Sequence, residues 1–377
     1  MTAELKRMFY KKRNSKDMIL MKVAILVGEI TGRGGMETVI SKMVSNYNAR
    51  YKGEMKLFLI GGSRDESWLK NINEDDYYIL NHSDENKIKR YLKCVFIAPK
   101  ELRKFNPDVL MAADEKSIMF AKMLSRFINK KIKVVSWIHF SISKIKPQYR
   151  KFMKQADAHF AISDGIKKEL INLSIADQKN VYLVYNPIEI SNQIIKRPED
   201  NVHFVYVGRL IYGGQKRVND LLTALSKIEG NWRLTVIGDG EDRDRLTTLA
   251  ESLGINHKIS WLGWQKDPWK CIDHATALLL TSQFEGFPMV LLEAMSKGIP
   301  CVSSNCPVGP SDIIIQNKNG WLYPMDDLNK LVEILQSIVD NKLDLPDYLE
   351  IQQTVERFDV KAFTENIRSV FLQLVKN

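Results

Sequence analysis

The chain has 377 residues, with 55 Lys and Arg against 45 Asp and Glu; 45% of it is hydrophobic and 27% is charged. That length suits two ordinary domains, each with its own core, and no apolar run approaches the roughly 18 residues of a membrane span. Four cysteines (Cys94, Cys271, Cys301, Cys306) form no CxxC and the six histidines form no HxxxH pair, which argues against a zinc site and for reduced, mostly buried thiols of a cytosolic protein.

The first twenty residues are basic and polar and lack the apolar stretch of a secretory signal. They are expected to be disordered, with Met21 as an alternative start. From there "KVAILVG" reads as a buried strand and "METVISKMVSNY" as an amphipathic helix. The short apolar runs "MKLFLIGG", "DVLMAAD", "KVVSWIHF", "AHFAIS" and "VYLVYNP" follow, separated by helix-period or polar sequence. Alternation of this kind predicts a mainly parallel sheet covered on both faces. The polar "PIEISNQIIKRPEDN", with Pro187 and Pro198, is the linker. The pattern then restarts with "VHFVYVG", "WRLTVIGDG", "KISWLGW", "ATALLLTS", "IPCVSSN" and "GWLYP". The boundaries are therefore a first domain over 21–187, a second over 188–360, and a C-terminal helix over 361–377 expected to pack back on the first domain.

Charge is uneven along the chain. Residues 1–190 hold 35 Lys and Arg against 21 Asp and Glu, and the remainder holds 20 against 24. The cations cluster in "KKRNSK" (11–16), "NKKIK" (129–133) and "KIKPQYRKFMK" (144–154). The last reads as a helix offering Lys144, Arg150, Lys151 and Lys154 to solvent, and the one-sided basicity suits an anionic membrane. It would suit nucleic acid too, but no reader motif supports that partner.

Both halves open on a glycine turn after a strand, "VGEITGRGGME" (27–37) and "VGRLIYGGQKR" (207–217). Such turns let backbone N–H groups approach phosphate closely, and they also serve ordinary strand–helix connections. An NAD-binding oxidoreductase is disfavoured because the G-x-G-x-x-G spacing is missing. Two such turns, each heading an α/β half, predict twin Rossmann-like domains facing a cleft.

The strongest constellation is "FEGFPMVLLEAMSKGIP", Phe284 to Pro300. A buried strand precedes it, and the helix has Pro288 in its first turn and Gly298 past its end. Free N–H groups near Met289 and Val290 would point at a diphosphate beyond the strand ends. Glu285 in the loop and Glu293 a turn into the helix could then accept hydroxyls on either side of it, the layout of a nucleotide sugar. Arg209, directly after the strand, and Lys216, at the next helix start, would neutralise the phosphates, which makes a metal unnecessary. Gly238, in "GDGE", is a further glycine turn on that edge. "DRD" (242–244) matches an Asp-x-Asp metal motif formally and reads instead as a solvated charge run.

These motifs resemble the retaining family 4 glycosyltransferases, which have the two-Rossmann GT-B architecture. The likeness spans nearly the whole chain from Met21 and rests on "GGMETV", "VGRL…QKR", "IGDG", "EGFP…EAM" and "VGPSDII". Within the family, "SWIHFS", "GGQKRVNDLL", "GNWRL", "GWQKDPW" and "LLLTSQFEGFPM" are most similar to the bacterial lipopolysaccharide 1,6-galactosyltransferases. The resemblance implies that Arg209 and Lys216 stabilise the leaving UDP, that Glu293 binds ribose and that Glu285 holds the donor sugar. It places Gly286, Phe287 and Pro288 under sugar and diphosphate, Gly34 and Gly35 over the phosphates, and His139 beside the sugar. Trp264 and Gln265 would meet the base, with a buried packing role the alternative for Trp264. Asp114 could contact acceptor, and Glu37 could support its loop. The implied reaction needs no organic cofactor and no metal. It would move a hexose, galactose favoured, from a UDP-sugar to a glycan or glycolipid at the cytoplasmic face of the inner membrane, with front-face retention. Capsule, teichoic-acid or protein-linked glycans are the rival acceptors.

Overall fold

The computed structural model describes residues 21–32, 34–128 and 131–376. The expectation for residues 1–20 lies outside that range, as does part of the 129–133 cluster. The described residues form two sheets, and every pairing between their named strands is parallel. The first contains β1 (Val23–Val27), β2 (Met55–Leu59), β3 (Tyr77–Ile79), β4 (Val109–Ala112), β5 (Lys133–Ile138), β6 (Ala158–Ala161) and β7 (Val181–Leu183). Their spatial order is β3-β2-β1-β4-β5-β6-β7. The second, ordered β10-β9-β8-β11-β12-β13, contains β8 (Val202–Val207), β9 (Trp232–Ile237), β10 (Ile259–Gly263), β11 (Ala277–Leu280), β12 (Cys301–Asn305) and β13 (Gly320–Pro324).

The sequence of β1, VAILV, has no polar position because helices cover both faces, and all five residues are buried. In each sheet the order reverses beside the first strand, between β1 and β4 and between β8 and β11. Open α/β sheets leave a crevice at such reversals, beyond the carboxyl ends of the strands. Gly28 and Asp114 follow β1 and β4; Gly208–Arg209 and the loop Thr281–Pro288 follow β8 and β11. Topology thus delivers Arg209 and Glu285 to one crevice from neighbouring strands.

The helix Val360–Lys376 returns to the first domain. Its Arg368 guanidinium bonds the buried Glu54 carboxylate and donates to the Tyr47 hydroxyl at 3.3 Å, and Phe371 stacks on Phe160 with ring centroids 5.2 Å apart. Removing one partner of a buried ion pair leaves the other charge uncompensated, at a cost of about 3–5 kcal/mol. Arg368→Ala is therefore expected to lower unfolding free energy by that amount, measured by urea denaturation. Arg368→Ala with Glu54→Gln should recover part of the loss.

Three local expectations change. β3 is an additional strand; its three half-buried residues at the sheet edge carry too little apolar pattern to signal one. Lys216 does not start a helix: it sits in a turn before the helix Val218–Leu225, where Arg217 adopts φ +49°. The 144–154 segment is a short 3-10 turn, Ile142–Lys144, and a helix limited to Pro147–Met153. There Arg150 is engaged with the carbonyls of Ile145 and Ser143 at 2.8 and 2.7 Å, and Lys144 lies 4.8 Å from the Phe284 ring centroid, across the cleft.

Candidate active site

The crevice of the second sheet holds a compact ionic network. Lys216 Nζ donates to Glu285 Oε1 at 2.7 Å, with the two side chains 15% and 9% exposed. Arg209 Nη2 donates to Gln215 Oε1 at 3.0 Å, and Gln215 Nε2 reaches the Phe284 carbonyl at 3.4 Å. Tyr206, buried below, donates its hydroxyl to the Arg209 carbonyl at 2.8 Å, and Thr281 Oγ1 donates to the Lys216 and Arg217 carbonyls at 3.0 Å. The turn carrying both cations is thereby fixed to the strand ends. Gln215, Tyr206 and Thr281 escaped the sequence reading because their spacing carries no motif.

Beyond the loop, the helix Met289–Met295 begins at Pro288 with no side chain capping its first turn, and Gly298 follows it at φ +77°. Pro288 is its N-cap, one position before the first turn expected for it. Glu293 is half-buried and accepts from Trp269 Nε1 at 3.1 Å. Burial raises its carboxyl above the ordinary value, against the lowering by that hydrogen bond and by the charges of Lys42 and Lys297. Trp269 was not foreseen as its partner.

The first domain closes over this edge. A methyl on Gly286 would lie 2.0 Å from the His139 carbonyl oxygen, so only glycine permits that approach. Gly35, at the start of the helix Gly35–Tyr51, faces Met289 across the cleft, where an added methyl would lie 4.0 Å from its Cγ. Gly34 is that helix's N-cap. Phe287 is buried in an aromatic trio with Tyr185 and Phe358, at 5.5 and 5.6 Å, which anchors the loop from beneath. Asp312 of the second domain accepts from the Asp164 N–H and the Tyr185 hydroxyl at 3.2 and 3.3 Å, a clasp between the domains.

His139 follows β5 on the cleft side. Its ring packs edge-on against Trp137 at 4.1 Å, its Nδ1 is 3.5 Å from Asn186 Nδ2, and its enclosed Nε2 has no hydrogen-bond partner among the described residues. Burial pushes the imidazole down to about 3, so it is neutral at physiological pH. Asp114 is otherwise occupied: it caps the helix Glu115–Phe127 through Lys116 and Ser117 N–H and accepts from Gly28 N–H at 2.9 Å. Its carboxylate therefore shapes the β1–β4 reversal. Glu37 is buried and accepts from Gly32 N–H at 2.7 Å, supporting the glycine loop.

Known proteins resemble this chain over nearly its whole length. Residues 187–355 match the glycosyl transferases group 1 model and residues 33–192 match Glycosyltransferase Family 4. The chain is 35% identical to the lipopolysaccharide 1,6-galactosyltransferase of Escherichia coli K12 over 363 residues, 94% of this chain and 99% of that protein. It belongs to glycosyltransferase family 4. A Salmonella typhimurium protein of the same name is 37% identical over 367 residues, covering 94% and 100% of the two chains. The apo structure of the lipopolysaccharide outer core galactosyltransferase WaaB superposes with a TM-score of 0.81 at 35% identity, over 94% of this chain and 99% of that one. The architecture is accordingly GT-B.

In this family 4 enzyme the second-domain candidates do not form a single contact set. Gly238, at φ +137°, lies so near the Gly208 carbonyl that an added methyl would sit 1.9 Å from its oxygen, and it shapes the turn under Arg209. Trp264 and Gln265 follow β10 at the rim. Trp264 is 49% exposed, which removes the packing alternative. Of the formal Asp-x-Asp, Asp242 accepts from Tyr212 N–H at 2.9 Å and Asp244 is exposed on the next helix.

Proposed function

We propose that this transferase moves galactose from UDP-galactose to a lipopolysaccharide-core glycolipid, with retention and without a metal. The relatives' named activity supports the substrate classes, and the observation that carries the site assignment is the Lys216–Glu285 pair in the strand-end crevice. Both groups are nearly buried and satisfy each other. When donor enters, Lys216 turns to a phosphate oxygen and Glu285 accepts a sugar hydroxyl, so each exchanges one charge-assisted bond for another. Arg209 adds a second cation, and the uncapped N–H groups at Met289 and Val290 meet the diphosphate. Glu293, held by Trp269, takes the ribose hydroxyls. Trp264 and Gln265 take the base, and Gly34 and Gly35 close over the phosphates. His139 presents its orphaned Nε2 to the sugar, where a ligand hydroxyl satisfies it.

The chemistry follows from that layout. The bond between the anomeric carbon and the phosphate oxygen breaks, and its electron pair stays on UDP. Lys216 and Arg209 stabilise that charge more strongly in the transition state than in the ground state. The acceptor oxygen attacks the same face and passes its proton to the departing phosphate. His139, neutral and enclosed, is a hydrogen-bonding partner rather than a proton donor.

Two experiments bear on the reading. Calorimetry should detect UDP binding and no NAD binding. Turnover should survive EDTA, with no recovery to be gained from magnesium or manganese; loss on chelation and rescue by either ion would contradict the metal-free mechanism. We further propose peripheral action at the anionic cytoplasmic face of the inner membrane. The basic excess of residues 1–190 supports this, and no described helix is long and apolar enough to cross a membrane.

A further inference from the structure

The helix Lys87–Phe96 is built inside out. Three of its side chains face the protein: Arg90 bonds the Gly61 carbonyl and lies 3.2 Å from Glu29, Lys93 pairs with Glu85 at 2.6 Å, and the Cys94 thiol donates to the Ile60 carbonyl. Its apolar side chains face outward. Ile88 and Phe96 are 71% exposed, Tyr91 68% and Leu92 48%, and none of the ten residues is buried. Ile88, Leu92 and Phe96 recur every fourth residue and so form one stripe, with Tyr91 beside it.

A second exposed apolar stripe lies on the same face of the first sheet. Met119, Met123 and Phe127 are exposed at the same spacing on the helix Glu115–Phe127. The crossovers from β3 to β4 and from β4 to β5 run the same way along the sheet, so the right-handed rule puts their helices on one face. Arg103, on the helix Ala98–Phe105 that lies between them in the chain, bonds the Phe127 carbonyl and ties that helix to the end of the second stripe. Exposed apolar surface of this extent marks an interaction site.

We propose that this face seats the enzyme in the interface of an anionic lipid bilayer. This names the docking surface for the membrane partner inferred above and rests on that reading. Charge decides the occupant. Lys87 and Lys89 flank Ile88, Arg126 precedes Phe127, and the helix Lys87–Phe96 contains no acidic residue. A second copy docked about a two-fold axis would set these cations against their own images. Lipid phosphates neutralise them while the stripes enter the acyl boundary. The location also suits the reaction. Arg90 ties the helix to Glu29, which with Ile30, Thr31 and Arg64 lines a depression of about 200 Å³ at the carboxyl edge of the first sheet. A lipid-borne acceptor would thus reach the cleft from the docked side. The 144–154 segment is not the docking element: its Lys144, Lys151 and Lys154 are exposed, but it presents no exposed large apolar side chain to enter the acyl boundary.

The test is co-sedimentation of the full chain with vesicles of phosphatidylglycerol in phosphatidylcholine and with phosphatidylcholine alone. The expected result is binding to the anionic vesicles that weakens towards 1 M salt, where the Debye length falls to about 3 Å. Ile88→Glu with Phe96→Glu should weaken partitioning at least about tenfold at an unchanged unfolding temperature. Lys144→Gln, Lys151→Gln and Lys154→Gln together should change it little. Equal binding to neutral vesicles, or unchanged binding of the Ile88/Phe96 variant, would overturn the proposal. So would a concentration-dependent dimer abolished by that variant, which would assign the face to a second copy. UDP calorimetry on the same samples separates the claims: absence of UDP binding would remove the donor reading and leave the vesicle result standing.

Discussion

Arg209→Ala is expected to lower kcat by about 10²–10³-fold, the loss found when one preorganised donor to a developing oxyanion is removed, with no change in unfolding temperature. The asymmetry follows from its surroundings. Arg209 is exposed and its side chain donates to Gln215, itself a loop residue, so the fold gains little from it and the departing diphosphate gains much. Lys216→Ala should lose a similar factor in kcat and also stability, because it leaves Glu285 buried without its cation. Steady-state kinetics beside thermal unfolding separates the two. A stability loss in Arg209→Ala matching that in Lys216→Ala would contradict this division of labour.

The two glutamates should divide the donor between them. Glu293→Ala is expected to weaken UDP binding by roughly 10–150-fold, the equivalent of one charge-assisted bond worth about 1.5–3 kcal/mol. Glu285→Ala should leave UDP affinity intact or slightly raised, since it frees Lys216 for phosphate, while transfer collapses. The geometry motivates the contrast: Glu293 sits on a helix and is oriented by Trp269, whereas Glu285 lies in the loop that touches the first domain through Gly286. Calorimetry with UDP measures both. Equal losses in the two variants would show that the carboxylates do not sit on opposite sides of the diphosphate.

Much of this was legible in the chain itself, for physical reasons. Buried parallel strands must be apolar throughout, so β1 and β11 announce themselves as VAILV and ALLL. A loop that approaches another backbone needs glycine, and Gly286 stands out inside "FEGFP" for that reason. What remained hidden depends on contacts between distant segments. Nothing near Glu293 in sequence points to Trp269, and nothing near Asp114 shows that its carboxylate is spent on Gly28 and a helix start. The pattern of "KIKRYLKCVF" gives a helix with one apolar face, but not which face turns inward. Expectation puts apolar residues inside, and here Arg90, Lys93 and Cys94 face the protein instead. The basic run at 144–154 keeps Lys144, Lys151 and Lys154 exposed, as its composition suggests. What composition hides is that Arg150 is engaged with the Ile145 and Ser143 carbonyls.

The most direct measurement is the product formed from UDP-galactose and lipopolysaccharide acceptors truncated before the outer-core galactose, analysed by proton NMR. The account predicts a galactosylated product whose new anomeric centre keeps the α configuration of the donor, formed in the presence of EDTA. A β-linked product, or turnover confined to a different UDP-sugar or to acceptors outside the lipopolysaccharide core, would contradict it.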